Sequence, residues 1–299
     1  MIKQRTLKKP IMIEGIGIHT GQTIHLTIHP APGNTGIIFQ RVDLQPPVAI
    51  PATHSHVGDT RLNTCLANGN VTISTVEHLL SALAGLGIDN AYIDIAAPEL
   101  PALDGSSLPF VRLIQEAGVT MQEADKLFLK IKQKVVVTEG DKQVSIEPYD
   151  GFKFILAIDF THPSIRASQQ QLSIDFAKAS YITEISQART FGFLAEYDYL
   201  RNNNLALGAS LDNTVVLDDS KIVNVDGLRD PDEFIKHKML DAIGDLFLLG
   251  HQFIGAFSGH KSGHNLNHQL RQAVLADKNT WELVTRRENE GLPVSFQLV

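Results

Sequence analysis

The sequence predicts an α+β protein of two similarly organised domains, with a site in the cleft between them. Three observations lead there. Short alternating strands and amphipathic helices occur in both halves of the 299 residues, a length that favours about two domains. Each half carries one helix with candidate ligand side chains, Glu77–His78 in the first and His237–Asp245 in the second. Between them Thr120–Asp125 is polar and without periodicity. The boundary is placed there, giving domains 1–125 and 126–299.

Taken in order, Thr23–His29 alternates cleanly, with Ile24, Leu26 and Ile28 towards a core and His25 and His29 outward. His19 sits between glycines in a loop, free for a functional role. Val71–Ile73 reads as a short strand. Ser74 and Glu77 match a capping box that starts a helix ending at Gly85–Gly87, with Val76, Leu79, Leu80 and Leu83 as its apolar stripe. Glu77 and His78 point away from that stripe, beside the small residues Ser81, Ala82 and Gly85. For Glu77 the plain alternative is the cap itself; for His78 it is a packed, hydrogen-bonded histidine. Ala91–Ile95 is a strand and Leu108–Glu116 a helix ending at Gly118. Leu127–Thr138 and Gln143–Glu147 form a hairpin around Glu139-Gly140-Asp141, and Phe152–Phe160 is an apolar strand. Gln187–Asn204 mixes aromatics with turn residues and suits an insert lining a pocket. Val215–Leu217 and Lys221–Val225 form a second hairpin. Phe253–Phe257 is a strand, and Ser262–Asn265 is a loop delivering His264 to a helix from Leu266 to Ala276. The glycines at 259 and 263 argue against one helix through His260, His264 and His268, so His268 reads as an exposed helix residue.

The central helix opens at Asp230 as N-cap, with Pro231 at its first position and Glu233 at its third, and closes at Gly250. Four residues advance a helix by about 40° beyond a full turn, so His237, Asp241 and Asp245 share one stripe. Its apolar residues centre on another face. Unpaired buried carboxylates are costly; a metal ion or a second histidine would compensate them. The bland alternative is a solvated His–Asp surface pair worth a few tenths of a kcal/mol.

Bulk properties narrow the classes. Hydrophobic residues make up 43% and charged residues 20% of the chain, the profile of an ordinary soluble protein. A net charge of −7 argues against nucleic acid as a partner. The single cysteine, Cys65, excludes an intramolecular disulfide and any multi-cysteine metal site. A metal must therefore use His, Asp and Glu, and 12 histidines are available. No apolar core follows the basic N-terminus, so no signal peptide is expected. No apolar run reaches about 18 residues, so no membrane-spanning segment is expected. The expected compartment is the cytoplasm.

Four stretches then carry a resemblance: V-E-H-L-L-S-A-L-A-G-L-G-I-D-N (76–90), A-R-T-F-G-F (188–193), H-K-M-L-D-A-I-G-D-L (237–246) and K-S-G-H-N-L-N (261–267). In order and spacing the chain resembles the UDP-3-O-acyl-N-acetylglucosamine deacetylase family of lipid A biosynthesis in Gram-negative bacteria. The resemblance implies two domains of like layout, each a helix layer packed on β-sheet. It implies His78, His237 and Asp241 as zinc ligands, Fe(II) being the alternative in the cell. It implies Glu77 as general base, His264 as catalytic histidine with Asp245 as its partner, and Thr190 as a stabiliser of the tetrahedral intermediate. Lys238, Phe191 and His19 are expected at the substrate. Glu196 departs from the family's Asp, which could alter a nucleotide contact and leaves the chemistry untouched.

Three N and O ligands leave one zinc position open, as in catalytic sites. The expected partner is the acylated UDP-N-acetylglucosamine alone, bound by a monomer, with Lys238 suited to the diphosphate and Phe191–Leu207 walling an acyl channel. Two rivals stand beside this reading. One is a metal-stabilised binding protein, which would need neither a general base nor an oriented acid. The other is a metal hydrolase of different substrate, which only the extended resemblance opposes.

Overall fold

The computed structural model describes residues 1–287 and 290. The fold is α+β. Seven α-helical segments occur among the described residues: α1 (Glu77–Leu86), α2 (Leu108–Ala117), α3 (Pro163–Arg166), α4 (Tyr181–Glu184), α5 (Tyr197–Asn202), α6 (Glu233–Phe247) and α7 (His264–Ala276).

A five-stranded sheet has the order Ile11–Ile16, Thr23–Pro30, Ala91–Ile95, Ile37–Arg41, Val48–Pro51. Its neighbours run antiparallel except Ile37–Arg41 against Ala91–Ile95. Ile24, Leu26 and Ile28 face the core as their alternation requires, and His25 faces solvent. A seven-stranded sheet is built around Gln252–His260. That strand pairs antiparallel with Lys142–Glu147 and parallel with both Phe128–Ile131 and Phe152–Ala157. Six of its nine residues in succession are buried, as an interior strand demands. The hairpin closes as read, with Glu139 opposite Lys142 and Gly140 at φ +61°, a conformation glycine takes without strain.

Several local expectations fail for identifiable reasons. Leu127–Thr138 is two strands, Phe128–Ile131 and Val135–Glu139, broken at the polar Lys132-Gln133-Lys134 because each half pairs with a different neighbour. Val119–Asp125, where no periodicity was visible, is a strand pairing antiparallel with Lys3–Leu7. It alternates only between half-buried and exposed, so its side chains carry little apolar signal. The second hairpin keeps its turn (Asp218 N–H to Lys221 carbonyl, 3.0 Å) but only one bridge, Leu217–Ile222. Val215–Leu217 pairs instead with Phe191–Phe193, in parallel.

The helix starts also differ. Ser74 does not cap α1: its hydroxyl bonds the Pro98 carbonyl at 3.3 Å, and the helix begins at Glu77 after Val76. Thr75, at φ +58°, turns the chain between them, an uncommon conformation for a β-branched residue. α6 begins at Glu233, with Asp232 rather than Asp230 before it. Asp230 instead accepts from the Asp232 N–H at 2.8 Å and pairs with Lys236 at 2.8 Å, leaving Pro231 outside the helix. The helix ends at Phe247, short of Gly250. α7 begins at His264 itself, two residues before the expected start.

α1 and α6 pack directly on each other. Their crossing depends on Gly244, where an added Cβ would lie 2.0 Å from the Glu77 carbonyl oxygen. Backbone cannot yield as a side chain can. Gly244→Ala is therefore expected to destabilise the fold by about 1–3 kcal/mol through overpacking, read as a lower thermal midpoint. A midpoint equal to wild type would contradict this packing.

Candidate active site

The crossing of α1 and α6 brings His78, His237 and Asp241 together. All three are buried, and one ligand atom from each lies within 4.8 Å of the others. Asp241 Oδ1 is 3.4 Å from His237 Nε2 and 3.6 Å from His78 Nε2. Asp241 Oδ2 accepts from Lys238 Nζ at 2.8 Å, while Oδ1 is buried with no hydrogen-bond partner among the described residues, as is His78 Nδ1. His237 Nδ1 donates to the Ala188 carbonyl at 3.0 Å, which leaves Nε2 with a free lone pair. Burial, with His78 and Lys238 close by, lowers the His237 pKa to about 4, so its imidazole is neutral near pH 7. Burial alone would raise the Asp241 pKa, but His237 and Lys238 hold the carboxyl well below the ordinary carboxylate range. Burial also opposes charge on His78, yet Asp241 and Glu77 pull its pKa up. A cation among these groups would take over the charge that a proton otherwise supplies. Two neutral-capable imidazoles around an orphaned carboxylate oxygen fit a divalent metal.

The carbonyl that orients His237 is itself anchored. Glu233, fully buried at the start of α6, accepts from Arg189 Nε at 2.8 Å, from the Arg189 N–H at 3.0 Å and from the Arg229 N–H at 2.7 Å. This buried fork pins segment 188–193 on α6 and sets Ala188 beside His237.

A second group adjoins the first. Glu77, at the first position of α1, accepts from the Thr64 N–H through Oε2 at 3.0 Å. Its Oε1 is 4.0 Å from His264 Nε2. Burial raises the Glu77 pKa above the ordinary carboxylate value. His264 Nδ1 lies 2.9 Å from Asp245 Oδ2. Asn267 donates to the same Oδ2 at 2.8 Å, the Thr64 hydroxyl to Oδ1, and Arg271 to the Asp245 carbonyl. Burial disfavours the His264 cation, but Asp245, with Glu77 and Asp241, outweighs it and raises the pKa to about 9. Glu77, Asp241 and His264 form a second metal-capable combination. A histidine held charged is a poor ligand, so the combination with His78 and His237 fits a metal better.

The expected site residues thus divide clearly. Glu77, His78, Thr190, Phe191 and His19 line one pocket of about 180 Å³. The Phe191 ring stands 6.3 Å from that of His237, edge on. The His19 N–H donates to Glu99 at 2.8 Å, and burial lowers its ring pKa. Lys238 is engaged with Asp241. His260, His264 and His268 do not form a common face. His260 is exposed at a strand end. His268 is half-buried and accepts from Arg271 at 3.1 Å, where an exposed residue was expected. The residues that sequence reasoning left without a site role are Thr64, Asn267, Arg271, Arg189 and Glu99, and Glu233 was read only as part of a helix start. Arg189 and Asn267 lay inside the motifs that carry the resemblance, and Asn267 also stands three positions after His264.

Residues 4–276 match the family model described as UDP-3-O-acyl N-acetylglycosamine deacetylase. The chain belongs to this family. Proteins named UDP-3-O-acyl-N-acetylglucosamine deacetylase are similar along nearly their whole length. That of Coxiella burnetii (strain Dugway 5J108-111) is 58% identical over 296 residues, covering 99% of this chain and 98% of the relative. That of Thioalkalivibrio sulfidiphilus is 54% identical over 297 residues, with the same coverage of both chains, 99% and 98%. That of Pseudomonas entomophila is 51% identical over 296 residues, again covering 99% and 98%. In this deacetylase-family member, no helix of the described residues is long and apolar enough to cross a membrane.

Proposed function

We propose that this chain is a zinc-dependent deacetylase of lipid A biosynthesis. It hydrolyses the N-acetyl group of a UDP-3-O-acyl-N-acetylglucosamine to acetate and the free 2-amino sugar nucleotide. The observation that carries the reading is the unpartnered Asp241 Oδ1 between two imidazoles, beside a desolvated carboxylate and an Asp-paired histidine. The family match and the relatives' names supply the substrate.

His78 and His237 through nitrogen, and Asp241 through Oδ1, would hold the ion. When bound, such an ion supplies Lewis acidity, polarising an amide carbonyl and acidifying water near neutral pH. Glu77 takes a proton from the attacking water through Oε1, its other oxygen being fixed by Thr64. The water oxygen joins the acetyl carbon, the C–N bond breaks, and His264 delivers a proton from Nε2 to the leaving amine. Asp245 holds His264 in the charged form this step needs. The Thr190 hydroxyl, on the pocket wall, donates to the developing oxyanion. Lys238, His19 and Phe191 contact the substrate in this reading, Lys238 near the diphosphate. The two domains are 1–125 and 126–299; support comes from one sheet spanning residues 11–95 and the other 128–284.

The test is mass spectrometry of the acylated UDP-N-acetylglucosamine incubated with the zinc-loaded chain. Loss of the acetyl group with matching acetate is expected, and unchanged substrate would overturn the reading.

The pocket continues from Glu77 and His78 past Phe191 and Phe193 to Leu194, Tyr197 and Leu200. If the acyl chain lies there, each methylene removed should cost about 0.8 kcal/mol, roughly fourfold in kcat/KM. Equal kcat/KM for short and long chains would remove the channel and leave the hydrolytic chemistry standing.

A further inference from the structure

We infer that Thr64 is a positioning residue that fixes the general base and the acid's partner to each other through one loop position. The inference rests on the roles proposed above for Glu77 and His264. Thr64 is fully buried. Its backbone N–H donates to Glu77 Oε2 at 3.0 Å, and its hydroxyl donates to Asp245 Oδ1. The two contacts reach 13 and 181 positions along the chain, onto α1 and α6.

The direction of each bond is forced. An ionised carboxylate only accepts, so the Thr64 O–H must point to Asp245. The hydroxyl lone pairs then face His264 Nδ1, 3.3 Å away. The imidazole N–H is therefore shared between Asp245 Oδ2 and Thr64 Oγ1, which fixes the ring plane. On the other side, Thr64 occupies Glu77 Oε2 and leaves Oε1 towards His264 Nε2. The loop is itself pinned: the Val76 N–H donates to the Thr64 carbonyl at 3.3 Å, and the Thr75 N–H to Asn63 Oδ1 at 3.4 Å. A β-branched side chain adds a stiff χ1. Asp245 is fully buried, so removing the hydroxyl leaves Oδ1 without its partner.

The test compares Thr64→Val and Thr64→Ser with wild type as zinc-loaded full chains. Valine keeps the shape and removes the donor. We expect kcat to fall about 10–100-fold, the usual worth of an outer-shell partner, with KM and bound zinc unchanged. Serine should recover most of the loss. In an Asp245→Asn background the valine change should cost far less, because the two act through one bond. The His264 Nδ1–H proton resonance should shift in Thr64→Val and return in Thr64→Ser. Wild-type kcat in Thr64→Val, fully additive losses or an unmoved resonance would overturn the inference. Should the valine variant not fold, Thr64→Ala, which also removes the donor, is carried through the same cycle with the same criteria. An inactive wild type would overturn the deacetylase reading instead, and the resonance would still decide the role of Thr64.

Discussion

Glu77→Gln is expected to lower kcat/KM by about 10²–10⁴, the usual worth of a positioned proton-transfer group, while the metal stays bound. Glutamine preserves the acceptor for the Thr64 N–H and the packing at the α1–α6 crossing. It removes only the basicity. Steady-state kinetics with metal analysis on the same preparation separates the two effects. Loss of metal alongside activity would mean that Glu77 is a ligand, as the combination with Asp241 and His264 would have it. Activity should fall as pH drops through the Glu77 pKa, which burial raises and a nearby divalent ion lowers.

Asp245→Asn is expected to move the basic limb. With His264 as the proposed acid, activity is lost as pH rises through its pKa, about 9 in the wild type. Burial opposes the cation and Asp245 is the largest influence favouring it. Without that charge the pKa should fall, Glu77 and Asp241 being the influences left to favour the cation. A fall to the ordinary histidine value of about 6.5 would reduce the protonated fraction at pH 8, and with it kcat/KM, by roughly thirtyfold. The limbs report the coupled cluster, so the shift between variants is the quantity to compare. A basic limb unmoved by Asp245→Asn would remove His264 from the acid's role.

The sequence carried more of the site than of its supports. The helical stripe of His237, Asp241 and Asp245 follows from spacing alone, and so does the strand face of Ile24, Leu26 and Ile28. Helix starts were misread where tertiary contacts override local capping. Ser74 is drawn to Pro98 by the turn at Thr75, and Glu233 is drawn into a buried fork with Arg189. Val119–Asp125 gave no periodic signal because neither of its faces is core. Thr64 was invisible for a different reason: its partners lie on two helices, one of them 181 positions along the chain, and one of its bonds uses the backbone. Lys238 was read from its charge as a diphosphate contact; its spacing, three residues before Asp241, also places it beside that carboxylate.

The central claim is that Asp241 holds the metal and Asp245 holds the histidine, although both lie on one helix stripe. Metal content of Asp241→Asn and Asp245→Asn, measured side by side after identical zinc loading and desalting, tests it most directly. The account predicts about one ion per chain in wild type and in Asp245→Asn, and loss of most of it in Asp241→Asn. Zinc retained by Asp241→Asn and stripped from Asp245→Asn would contradict it, moving the ligand from four residues after His237 to eight.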